Sequence, residues 1–147
     1  MKKLLLLLFS LLLSFNAYGE WTKFSDSSFL NITFYIDTDT IKESGGYVYF
    51  LELDDYSKPN PYGELSGKMR RQVNCKENQY KTLSFISYKQ NMGIGEGEEQ
   101  TPFNYDEWTD TTSESILNKM INYACSQIDN SHGKIACVFT DGKVDAF

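Results

Sequence analysis

The residue types best suited to catalysis and metal binding are scarce in this chain. Histidine, a common general base and metal ligand, occurs once, at His132. Asp129 and Cys137 lie near it in the sequence, but a third ligand at a spacing typical of zinc sites is missing. We therefore interpret His132 as a solvated loop residue, with a surface metal site as the alternative.

Carboxylates are more numerous, but their spacing does not define a site. Asp37 and Asp39 match the first two ligands of a calcium-binding loop, yet Ile41 occupies the third position and the closing glutamate is missing. We interpret this stretch as a strand end that turns into a hairpin. A second group of carboxylates is spread over a longer stretch without a regular spacing. It predicts weak calcium binding at most. Its members are Glu96, Glu98, Glu99, Asp106, Glu107 and Asp110.

Segment 91–102 carries several of these carboxylates and is rich in glycine. Its Gly93-x-Gly95-x-Gly97 pattern lacks the final glycine and the helix of a phosphate-binding loop, and its glutamates would repel phosphate. We predict a mobile loop here. Motifs of serine hydrolases and zinc proteases are absent from the chain. We therefore predict a protein that is not an enzyme, with no catalytic residues, no metal and no cofactor.

The N-terminus indicates export. Two lysines precede a nearly unbroken run of leucines from Leu4 to Leu13, and the small residues Ala17 and Gly19 mark a cleavage site. The apolar run is too short to cross a bilayer core of roughly 30 Å as a helix. We predict that residues 1–19 are a cleaved signal peptide, that no later segment spans a membrane, and that the protein is periplasmic or at the cell surface.

The composition restricts the partners. The formal net charge of −6 includes the two lysines of the signal, so the exported form is more negative. Nucleic acid and anionic membranes are poor matches for such a surface, and we predict neither as a partner. Aromatic residues make up 15% of the chain, with ten Tyr and ten Phe. This favours β-structure and offers tyrosines for a recognition surface.

Alternating apolar and polar residues between Trp21 and Lys89 predict at least four β-strands, with a hairpin turn at Gly45-Gly46. A strand over 67–75 places Arg71 among apolar residues, so we expect that strand position to lie near an edge of the sheet. An apolar stripe predicts one helix over 113–125, preceded by the capping-box spacing Thr111-x-x-Glu114. The predicted fold class is α+β, an antiparallel sheet of four to six strands with one C-terminal helix packed on one face.

Three cysteines in an exported chain favour one disulfide and one free thiol. Cys75 ends a strand on the same face as Val73, and Cys125 lies on the apolar stripe of the helix, so both should point into the layer between sheet and helix. We therefore predict a Cys75–Cys125 disulfide, with Cys137 free or paired between chains. A Cys125–Cys137 bond is the competing pairing.

Three longer strings of sequence are Tyr35 to Tyr56, Ser66 to Cys75 and Tyr80 to Gly97, and they occur with Trp21, Trp108 and the helix that ends at Cys125. Together they resemble the bacterial surface-adhesin E domain over most of the chain after the signal. The resemblance implies a small exported α+β domain, and its namesake is a lipid-anchored adhesin that binds host extracellular-matrix and serum proteins and can dimerise. The present chain has no Cys at the cleavage site.

These observations divide the chain into a signal peptide (1–19), an adhesin-like domain (20–125) and a C-terminal extension (126–147) that is a small hairpin or disordered. We predict a non-enzymatic protein-binding domain whose partner is a host matrix protein or an envelope protein. The resemblance adds a second copy of the chain as a further partner. The alternative function is a periplasmic inhibitor or envelope accessory protein that acts through the 91–102 loop.

Overall fold

The computed structural model describes residues 20–101 and 105–133. Seven β-strands form one antiparallel sheet in the order β1-β2-β3-β4-β5-β6, and the short β7 pairs with β5. One α-helix, α1, follows the strands in this part of the chain. The bounds are β1 (Trp21–Ser27), β2 (Ile32–Ser44), β3 (Tyr47–Tyr56), β4 (Ser66–Asn74), β5 (Gln79–Tyr88), β6 (Gly97–Gln100), β7 (Thr109–Asp110) and α1 (Ile116–Gly133).

The first six strands form a meander, in which each strand pairs with the next one along the chain. The connections are short, so each strand runs antiparallel to the one before it. Gly45 and Gly46 close the β2–β3 hairpin with φ of 61° and 81°, a left-handed conformation that glycine adopts without steric cost. The predicted α+β class and its single packed helix are confirmed. Within the described residues the sheet has seven strands, one more than the predicted maximum of six.

Helix α1 packs across one face of the sheet and forms the core. Phe50 and Val73 lie on this face and are at most 1% exposed, as are Met120 and Ile121 of the helix. Burial of each such side chain contributes about 1.5–3 kcal/mol to folding. The Cys75–Cys125 disulfide is present and links the chain just after β4 to the helix, with Cα atoms 6.0 Å apart. Cys75 itself is exposed, so the bond lies at the margin of the core.

The helix begins and ends later than predicted. Ser115 caps it, since the Ser115 hydroxyl accepts a hydrogen bond from the Asn118 backbone N–H at 3.0 Å. The Thr111 hydroxyl donates to the Asn118 side chain instead, at 2.7 Å, so the predicted capping box does not form. The helix continues to Gly133, past the predicted end at Cys125. The hairpin considered for the extension lies outside the described residues.

Arg71 does not lie near an edge of the sheet, and that prediction is wrong. It sits in β4, between β3 and β5, and is 8% exposed. Its Nε donates to the Glu52 carboxylate at 2.5 Å, and its guanidinium also donates to the Thr82 hydroxyl. A guanidinium is tolerated in the interior only when a carboxylate and further acceptors replace its hydration, and the sequence of β4 alone does not reveal a carboxylate from β3.

The prediction of a mobile loop over 91–102 is also wrong for most of that segment. Residues Asn91–Gly93 form a 3-10 turn, and Gly97–Gln100 form β6, which pairs with β5. Backbone ladder bonds do not depend on side-chain type, and the glutamates of β6 remain exposed to water at the end of the sheet. Hydrogen bonding to β5 therefore makes residues 97–100 a strand, although their composition is typical of a loop.

Candidate protein-binding surface

The sheet face opposite α1 carries a row of aromatic and basic side chains. Because side chains alternate along a strand, Tyr47 and Tyr49 of β3 point away from the helix, whereas Val48 and Phe50 point towards it. The residues that pair with Tyr47 and Tyr49, and the alternate residues along the neighbouring strands, point to the same side of the sheet. We call this surface the helix-free face, and its members are Trp21, Tyr35, Tyr47, Tyr49, Lys68, Arg70, Gln72 and Lys81.

Cations lie over aromatic rings along this face. The Lys68 ammonium is 5.8 Å from the centre of the Trp21 ring and 4.9 Å from that of Tyr88. The Arg70 guanidinium lies 5.8 Å from the Tyr49 ring. Each contact contributes about 0.5–1 kcal/mol at exposed sites and restricts the side chains that it joins. The face is therefore an ordered surface before any partner arrives.

The same arrangement recurs at the far side of the face. Lys81 lies 4.9 Å from the centre of the Trp108 ring, which also contacts the Tyr47 ring at 5.2 Å. Asp106 accepts a hydrogen bond from Lys81 at 3.0 Å. Trp, Tyr and Arg are the residues that most often dominate the energy of protein interfaces. Their concentration on the face opposite α1 favours protein recognition.

A small apolar pocket borders the face beside the 3-10 turn. Its volume is about 390 Å³, and Trp21, Met92, Gly93, Ile94 and Gly95 line it. Ile94 is 60% exposed. An apolar lining of this kind suits contact with apolar side chains of another protein.

Two side chains from the sheet hold the turn that forms this pocket. The Asp55 carboxylate accepts from the Met92 N–H at 2.6 Å, and the Ser66 hydroxyl accepts from the Gly93 N–H at 2.8 Å. Gly93 has a φ of 62°, a conformation that glycine adopts at little cost, and a Cβ at this position would displace the end of the flexible Lys68 side chain. The exposed Ile94 therefore projects from an anchored support.

The helix-bearing face contains buried charge instead. Glu52 is 2% exposed, and Oδ1 of Asp54 is buried without a hydrogen-bond partner in the described chain. Burial, with the adjacent Glu52 carboxylate, raises the pKa of Asp54 to about 8. Burial and the nearby Asp54 carboxylate raise the pKa of Tyr56 to about 12. Asp54 is therefore mostly protonated at neutral pH, which lessens repulsion between two close carboxyl groups.

The structure separates most of the residues that the sequence singled out for chemistry. Asp37 is buried and accepts from the Asp39 N–H at 3.1 Å, so the pair forms a local turn. Asp106 and Asp110 bind Lys81 and Gln79, respectively. Across residues 20–101 and 105–133, no three His, Cys, Asp or Glu side chains are arranged to hold a metal ion. The side chain of His132 lies outside the described part of the chain.

No sequence motif marks the helix-free face, but the alternation of residue types along β3 indicates it. Tyr47 and Tyr49 alternate with Val48 and Phe50, and this pattern marks two faces of different chemistry. The basic residues come from β4 and β5, so only the register of three strands brings them to the tyrosines. No described helix is long and apolar enough to cross a bilayer.

A family model described as surface-adhesin protein E matches residues 21–126. Solved structures of Haemophilus influenzae protein E share the fold: one crystal form has a TM-score of 0.57 and 17% identity, covering 75% of this chain and 89% of that one. A second has a TM-score of 0.54 and 18% identity over 74% and 87%. A third, from a non-typeable strain, has a TM-score of 0.52 and 16% identity over 76% and 88%. The curated proteins compared with this chain include no match.

Proposed function

Because the chain belongs to the surface-adhesin protein E family, we propose that it is an exported, non-enzymatic protein that binds another protein through its helix-free face. The ordered row of rings and cations on that face carries the proposal. The rings provide rigid apolar surface, and the charged and hydroxyl groups at their margins can form hydrogen bonds. Together they can contact both the backbone and the side chains of a partner protein. Host matrix proteins and envelope proteins are the partner classes that we propose.

The predicted signal peptide over 1–19 and the Cys75–Cys125 disulfide support export, because disulfides persist in oxidising compartments. Whether the partner belongs to the host or the envelope depends on the side of the outer membrane that the protein occupies. External protease added to intact cells, followed through a tag placed after Phe147, answers this. Cleavage in intact cells points to host ligands, whereas protection until the outer membrane is permeabilised points to envelope partners.

Site-specific photo-crosslinking in the native cell tests the face itself. A photoreactive amino acid at Gln72, in the middle of the helix-free face, should yield a discrete adduct of higher mass. The same probe at Gln127, exposed on α1, is the matched control and should yield none. Adducts from Gln127 alone would overturn the proposal, and an adduct of twice the chain's mass would identify a second copy as the partner.

The exposed side chain of Ile94, on its anchored turn, favours one alternative: a periplasmic inhibitor or envelope accessory protein that inserts segment 91–102 into a cleft. Deletion of residues 93–99 is a poor test because it would remove β6. A photoreactive residue at Ile94 is better. An adduct from Ile94 without one from Gln72 would support the alternative and overturn the main proposal.

A further inference from the structure

The helix-free face contains an opening in the sheet where β2 leaves its register with β3. Asp37 pairs with Leu51, and Lys42 pairs with Tyr49, so residues 38–41 lie opposite Phe50 alone. The Thr40 hydroxyl replaces the missing ladder bonds, because it accepts from the Leu51 N–H at 3.0 Å and donates to the Asp37 carbonyl at 2.7 Å. Bulges bend a strand and re-aim its side chains. Here the bulge opens a cavity of about 430 Å³.

The walls of this bulge cavity are more basic than the rest of the molecule. Lys42 lies directly across from Tyr49, and Arg70 approaches the ring of Tyr49 from the opposite strand, at 5.8 Å. Asp39 is the one carboxylate among the lining residues. In the described part of the chain, neither Lys42 nor Arg70 forms an ion pair. Two cations face one carboxylate here, within a chain whose net charge is −6.

We propose that this bulge cavity binds a carboxylate side chain of an acidic protein segment. A guanidinium presents a planar fork that matches both oxygens of a carboxylate, and its contact with Tyr49 restricts Arg70 before the ligand arrives. Lys42 adds a second positive charge, and the apolar surfaces of Tyr49 and Leu51 accept the methylene groups of Asp or Glu. The proposal rests on the proposed function of the helix-free face and adds the chemistry of its partner.

A titration of the isotope-labelled, disulfide-bonded protein with a capped hexaglutamate peptide tests this inference. Backbone amide NMR signals around Lys42, Tyr49 and Arg70 should shift as peptide is added, at low salt and more weakly at 0.15 M salt. A variant with Lys42→Gln and Arg70→Gln should bind at least about tenfold more weakly, since it loses two charge-assisted contacts. A variant with Lys58→Gln and Lys76→Gln removes the same charge from exposed sites elsewhere and should stay within about twofold of the original.

Equal weakening in both double variants would overturn the inference, because long-range attraction alone would then explain binding. Absence of shifts in the unmodified protein would overturn it as well. If inorganic phosphate shifts the same signals and displaces the peptide at equal concentration, the site binds small anions and the acidic segment is rejected. None of these results affects the crosslink at Gln72, so failure of this inference is distinguishable from failure of the proposed function.

Discussion

Phe50 and Tyr49 are neighbours in β3, but they belong to opposite faces of the sheet and to different environments. Phe50 is 1% exposed beneath α1, whereas Tyr49 is half-buried beside Lys42 and Arg70. The helix-bearing face combines an apolar core with buried charge at Glu52, and the opposite face places rings and cations at the surface. One strand therefore supplies a buried side chain to the core and a partly exposed ring to the opposite face through the alternation of its side chains.

Charged side chains have different environments on the two faces. Arg71, on the helix-bearing face, is enclosed by Glu52 and Thr82 and has no access to a partner. Arg70, the adjacent residue in β4, is exposed over Tyr49. The charge of Arg71 is satisfied within the fold, whereas Arg70 forms no ion pair in the described chain and is accessible from solvent. Adjacent positions in β4 therefore lie in different electrostatic environments.

Substitution of the two neighbours in β3 should produce the largest contrast. Phe50→Ala leaves a cavity beneath α1 and should lower the free energy of unfolding by about 3–5 kcal/mol. Tyr49→Ala removes a partly exposed ring and its contact with Arg70, so we expect a loss of about 1 kcal/mol or less. Urea unfolding monitored by circular dichroism measures both. Similar losses for the two variants would show that the helix-free face contributes to the core.

Removal of the disulfide should have the next largest effect on the helix-bearing face. Cys75 and Cys125 are 50 positions apart, and opening a loop of that length should lower the free energy of unfolding by about 2–5 kcal/mol. Thermal unfolding of oxidised Cys75→Ser protein measures this loss. Cys137→Ser is the control and should leave the midpoint unchanged. A lower midpoint for Cys137→Ser with none for Cys75→Ser would favour the competing Cys125–Cys137 pairing.

A smaller, pH-dependent effect should come from Asp54. Its carboxyl keeps a proton in the folded state up to a pKa of about 8, whereas the ordinary value is 3.8. The folded state therefore binds more protons between these values, and stability should fall as pH rises from about 4 to about 8. An asparagine at position 54 cannot ionise, so the Asp54→Asn variant does not lose stability in this way. Its free energy of unfolding, relative to that of the unmodified protein, should rise by about 1–3 kcal/mol between pH 5 and pH 8.

Urea unfolding at pH 5, 6.5 and 8 measures this gain. Asp129→Asn, at an exposed position of α1, serves as the control. A gain that does not change with pH for Asp54→Asn, or an equal pH-dependent gain for Asp129→Asn, would contradict a protonated Asp54 within the buried cluster.

Sequence reasoning succeeded where the signal is local. The alternation in β3, the turn at Gly45-Gly46 and the apolar stripe of α1 each depend on residues a few positions apart. Family recognition also depended on such strings. The errors concern segments whose environment is supplied from elsewhere: Arg71 depends on Glu52 of β3, and β6 depends on the neighbouring edge of β5.

The sequence by itself determined the fold class, the two-faced character of the strands and the family, because hydrophobic period and turn chemistry are written along the chain. The tertiary structure alone decided which side chains share a surface. Lys42, Tyr49 and Arg70 come from three strands, and only their register, together with the bulge in β2, places two cations around one ring. A binding surface on a sheet runs across the strands, whereas a sequence runs along them.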